Sequence, residues 1–98
     1  MSQHIFKTSI AQGQRVTVTM GYDRPLHYVF CTVITEDDDV IYSNLDDEDA
    51  GIHQQQVNYY RTVLLRLGLS VPEAMFREVE SDQLSAVGNR VVIHRMES

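Results

Sequence analysis

One stretch constrains the fold more than any other: Val16 to Ile34, reading VTVTMGYDRPLHYVFCTVI. Val16, Val18 and Met20 alternate with Thr17 and Thr19, the period of a strand with one buried face. Gly21 to Pro25 is a cluster of turn formers. Leu26 to Ile34 then runs nearly unbroken through Tyr28, Val29, Phe30, Cys31 and Val33. A strand apolar on both faces sits centrally in its sheet.

The flanking segments extend this pair. Ile5 to Ile10 reads as a first strand, with Ala11-Gln12-Gly13-Gln14 as the hairpin turn. Glu36 to Asp39 is a charged turn and Val40 to Tyr42 a short fourth strand, which completes an antiparallel meander. From Ile52 the period changes. Tyr59, Tyr60, Val63, Leu64 and Leu67 make the stripe of an amphipathic helix. Asp46, Asp47, Glu48 and Asp49 lie at or before its first turn, where acids cap free N–H groups. Gly68 suits the residue after a helix end, with Leu69 folding back onto Leu64. Ser70-Val71-Pro72-Glu73 has capping-box spacing. It predicts a second helix from Val71, with Met75, Phe76 and Val79 on its apolar side, ending near Asp82–Leu84. Gly88-Asn89 turns the chain and Arg90 to Met96 reads as a last strand. The expectation is one α+β domain over residues 1–98. It has a four-stranded antiparallel meander, two helices on one face and a C-terminal fifth strand in the same sheet. A chain of 98 residues can bury a modest core without staples.

The formal net charge of −6 disfavours a nucleic-acid backbone as partner. Its distribution says more than its sum. Glu36 to Asp49 holds eight acids and no base, while the remaining chain carries six acids against eight bases. With Cys31 as the single cysteine, no internal disulfide forms, and a reducing compartment is expected. No apolar run approaches membrane-spanning length. Met1-Ser2-Gln3-His4 lacks the basic and apolar segments of a secretory leader. The composite expectation is a soluble, cytoplasmic protein.

Gly21-Tyr22-Asp23-Arg24-Pro25-Leu26, followed by Tyr28, Val29 and Phe30, resembles a stretch in small bacterial proteins of unknown function. Those carry Gly-Trp/Tyr-Asp-Arg-Pro-Leu before an aromatic-rich strand, often with an acidic turn after it. The resemblance covers Val16 to Tyr42. It implies a fold built around the same loop and brings no activity or catalytic residue.

Few catalytic chemistries fit the residues. Cys31 sits in mid-strand among apolar neighbours, the setting of an inert thiol. His27 lies four residues earlier, roughly 13 Å along an extended strand, too far for a dyad. His4, His27, His53 and His94 show no zinc-ligand spacing. The acids from Asp46 to Asp49 fail as a calcium loop, because Ala50 and Val57 fall on ligand positions. Phosphate-binding glycine motifs and a serine nucleophile elbow are absent. The reading therefore leans away from an enzyme and assigns no catalytic residue, cofactor or metal.

Two surfaces are candidates. Asp37, Asp38, Asp39, Asp46, Asp47 and Asp49 form an acidic window that would dock a basic protein surface, making the protein a small interaction or regulatory module. Alternatively, Tyr22, Asp23 and Arg24 would form a ligand-binding or catalytic loop on a rigid strand pair. Turn chemistry also accounts for that loop as a plain corner. Strand three offers Tyr28, Phe30 and Ile34 to one face and Val29, Cys31 and Val33 to the other. Two helices cover only one face, so a homodimer across the uncovered face is a further expectation.

Overall fold

The structure is a computed structural model that describes residues 2–10, 13–25, 28–52, 57–85 and 88–95. Strands β1 (Ser2–Ser9), β2 (Arg15–Asp23), β3 (Tyr28–Thr35), β4 (Val40–Ser43) and β5 (Arg90–His94) form one sheet, ordered β4-β3-β2-β1-β5. The first four are an antiparallel meander, and β5 lies parallel to β1. Helices α1 (Glu48–Ile52), α2 (Val57–Arg66) and α3 (Glu73–Leu84) lie between β4 and β5 in the chain. The expected α+β architecture is the one the chain adopts.

Period-two patterning decides which face is covered. Val16, Val18 and Met20 of β2 and Val29, Cys31 and Val33 of β3 are buried, while Thr17, Thr19, Phe30, Thr32 and Ile34 are half-buried. Onto the buried face α2 sets Val57, Tyr60, Val63 and Leu64, and α3 sets Met75, Phe76 and Val79. Tyr60 is fully buried because its hydroxyl donates to the Val29 carbonyl at 3.1 Å. Arg61 joins the two helices, pairing with Glu73 and lying 4.5 Å from the Phe76 ring centroid.

Local signals worked unevenly. α2 ends in a Schellman motif: Gly68 has φ of 77°, its N–H bonds Leu65, and the Leu69 N–H bonds Leu64. α3 starts at Glu73, not Val71, with Pro72 at its N-cap and no side-chain cap bond. The proline is the reason, since a residue before proline is pushed out of the helical region. β2 runs three residues past Met20, because Gly21, Tyr22 and Asp23 pair with Phe30, Val29 and Tyr28. Ladder pairing there overrides turn propensity. Of the helix expected from Ile52, the described part over its apolar stripe is α2, and α1 covers the acids Glu48 and Asp49 before it. Ala11, Gln12, Leu26, His27, His53 and Met96 lie outside the described residues.

Cys31 has no exposed surface, and burial pushes its thiol up to about 12. The thiolate that reacts with alkylating agents is therefore scarce near neutral pH. We expect iodoacetamide to label the native protein far more slowly than the unfolded chain. Comparable labelling rates in the two states, read by mass spectrometry, would refute that.

Candidate functional site

The acidic window forms the corner where β4 passes into the helices. Asp37, Asp38 and Asp39 are exposed in the β3–β4 turn, where Asp38 takes φ of 65°. After β4, a 3₁₀ turn runs Asn44–Asp46, capped by the Ser43 side chain. Asp46 and Asp49 are exposed, and Asp47 is half-buried. Asp47 is a structural hub. Its Oδ2 accepts the hydroxyls of Tyr42 and Tyr59, both at 2.7 Å. Its Oδ1 accepts the N–H groups of Asp49 and Ala50 at the start of α1.

Those bonds have electrostatic consequences. The Tyr42 and Tyr59 hydroxyls hold the Asp47 carboxyl below the usual carboxylate range. The same bond pushes the Tyr59 hydroxyl up to about 12, and burial followed by the Asp47 bond raises Tyr42. A carboxyl depressed in the folded state adds stability that is complete above its unfolded value. That stability is lost as pH falls through the depressed folded value. Asp47→Asn should therefore flatten the acid limb of a thermal-midpoint profile taken from neutral pH downward. An unchanged acid limb would show that Asp47 contributes nothing there.

Between β4 and the acids lies an open groove of about 540 Å³, lined by Val40, Ile41, Tyr42, Ser43 and Asp46 to Asp49. Among the described residues β4 ends the sheet and pairs only with β3, with a bulge at Val33/Ile34. Val40 is 56% exposed and Ile41 37%, and Leu45 just beyond is 81% exposed. Apolar side chains and acids thus share one open sheet edge.

The second expected site is placed differently. Tyr22 and Asp23 belong to β2 and are buried, and Arg24 is exposed in the turn that follows. The Tyr22 N–H donates to the Ser2 hydroxyl at 3.0 Å, tying this strand end to the start of β1.

A third group escaped the sequence reading. His4 of β1 and Asp82 of α3 are both buried, and His4 Nε2 lies 2.6 Å from Asp82 Oδ2. His4 Nδ1 lies 2.8 Å from Nε2 of His94, the last residue of β5. Arg90 donates Nη1–H to Asp82 at 2.7 Å and Nη2–H to Glu78 at 3.0 Å. Ser2, also buried, hydrogen-bonds Asp82 through its hydroxyl. Burial works against the Asp82 charge, but the bonds from His4, Ser2 and Arg90 outweigh it and hold the carboxyl below its usual range. Burial pushes the His94 imidazole down, favouring its neutral form. Glu78 and His94 also line an open cleft of about 490 Å³ between α3 and β5, with Arg77 and Arg95 beside them.

The sheet register assembles this cluster. Parallel pairing sets His4 opposite Val92 and Phe6 opposite His94, so the two histidines are diagonal neighbours on the helix-covered face. Asp82 follows Met75 and Val79 along the buried side of α3. A sequence signal existed: a charged or polar residue stands at a core-facing position in β1, α3 and β5.

Comparisons with protein-family models, curated proteins and solved structures find no match. Among the described residues, no helix is long and apolar enough to cross a membrane.

Proposed function

We propose that the protein is a non-catalytic docking module whose acidic corner receives a basic, extended segment of another protein along β4. The observation that carries this reading is the open edge of β4, with Val40 and Ile41 exposed and acids on both flanks. An unpaired edge offers N–H and C=O groups to an incoming strand, and alternate side chains of that strand read the groove. Charge selects the occupant. Asp37 to Asp39 before β4 and Asp46 to Asp49 after it repel a second copy of this edge and attract lysine and arginine. Asp47 anchors the corner through its two tyrosines, leaving the exposed acids free to steer.

The test uses a fluorescent peptide of alternating lysine and valine, its glutamate–valine counterpart, and a variant altered in the β3–β4 turn. Asp37→Lys and Asp39→Lys reverse two charges. Asp38→Asn neutralises the third while suiting its positive φ. The basic peptide is expected to bind the native protein in low salt, weaken as salt rises, and protect β4 amides from exchange. The variant should bind roughly tenfold less tightly, as several contacts of about 0.2–1 kcal/mol each are lost. Equal binding of both peptides, or of both proteins, would overturn the proposal.

A further inference from the structure

The cluster behind the α3–β5 cleft points to a second activity, independent of the acidic corner. We propose that His4 Nδ1, His94 Nε2 and Glu78 Oε2 bind a divalent transition-metal ion of the zinc class, with Asp82 orienting His4. These three atoms lie within 4.8 Å of one another.

Proton accounting supports the assignment. His4 Nε2 faces the Asp82 carboxylate at 2.6 Å, so that nitrogen carries the proton and donates. In the tautomer that donates from Nε2, the lone pair sits on Nδ1, the nitrogen that faces His94. A carboxylate that fixes a histidine tautomer and leaves the other nitrogen free is the usual arrangement behind a metal-binding imidazole. In that tautomer the 2.8 Å contact is met by a proton on His94 Nε2. Moving that proton to Nδ1 of the same ring turns the contact into two converging lone pairs. Glu78 divides its carboxylate. Oε1 accepts from Arg90 at 3.0 Å, while Oε2 stands 3.4 Å from His94 Nε2, beyond a normal hydrogen bond.

The spacing suits the ion. Ligands at about 2.0–2.1 Å in a tetrahedral shell lie roughly 3.3 Å apart. The His94–Glu78 separation of 3.4 Å already meets that, and the His4–His94 contact must open by only about half an ångström. Two imidazoles and one carboxylate favour zinc, cobalt, nickel or iron over calcium or magnesium. The local charge also fits, because Arg90 is offset by Asp82 and Glu78 together. Three protein ligands leave a further position for water or a small ligand entering through the cleft.

The test titrates the full chain with Zn²⁺ by calorimetry and with Co²⁺ by visible absorption, which reports coordination by nitrogen and oxygen. One equivalent is expected, with a rise in thermal midpoint. Glu78→Gln, a half-exposed position, should weaken binding by about tenfold or more, and His94→Ala by at least as much. A His27→Ala/His53→Ala control should bind as the wild type does. Absence of binding at micromolar ion, or unchanged affinity in Glu78→Gln, would overturn the site whether or not His94→Ala folds. Loss of binding in the control would overturn it too. The lysine–valine peptide experiment is unaffected by any of these results.

Discussion

Asp82→Ala is expected to destabilise the fold by about 1–3 kcal/mol or more, the cost of leaving a buried hydrogen-bond donor without its acceptor. The carboxylate is 1% exposed and takes bonds from His4, Arg90 and Ser2. Its removal leaves His4, itself without exposed surface, holding a donor with no acceptor, and frees Arg90 from one of its two carboxylates. A domain of this size has roughly 5–15 kcal/mol in all, so a large share of its stability is at stake. Asp82→Asn keeps one acceptor oxygen and should cost less than alanine. Urea denaturation checks both, through the shift in midpoint at constant slope. A loss below about 1 kcal/mol for alanine would mean that the cluster contributes little to holding α3 on the sheet.

Gly21→Ala should be comparably damaging, for a steric reason. A Cβ at Gly21 would sit 1.9 Å from the Ser2 carbonyl oxygen and 2.8 Å from Phe30 Cζ. The phenylalanine ring can turn aside, but the carbonyl belongs to the backbone of β1. Ser2 must therefore shift, and with it the hydroxyl that bonds Asp82 and the Tyr22 N–H. Overpacking of this kind costs about 1–3 kcal/mol, and more where backbone has to move. Gly13 and Gly68 are the contrast. They have positive φ and nothing within 4 Å of an added Cβ, so alanine there meets only conformational strain of about 1–2 kcal/mol. Thermal unfolding of the three alanine variants should rank Gly21 lowest. A Gly21→Ala protein as stable as Gly68→Ala would contradict the close approach of β1 and β2.

The contrast between these positions shows what a sequence can carry. Strand alternation from Val16 to Val33 was legible because burial on one face repeats every second residue. The end of α2 was legible because Gly68 and Leu69 report a local geometry. The cluster was not, since His4 and Asp82 are 78 residues apart and His4 and His94 are 90 apart. Neither pair has a spacing to recognise. Their proximity depends on β5 choosing the far edge of the sheet, beside β1, in a parallel register. Likewise the acids around Asp47 announced a helix cap, but the two tyrosines that converge on it come from β4 and α2. Charge density alone did not single out Asp47 from its neighbours.

The pairing of β1 with β5 also sets an order in time. The meander consists of contacts between neighbouring segments and can form while the rest of the chain is still being synthesised. His4 then waits with one side open until β5 arrives, because the cluster needs β1 and β5 side by side. In the mature protein the same geometry makes β5 the natural unit of partial unfolding. It is five residues long and, among the described residues, attached along one edge. Its release would uncover His4 and Asp82 while the meander stays intact. Amide exchange of Val91 to His94 should then run ahead of exchange in β2 and β3, as the opening of a single hinged edge rather than of the whole domain.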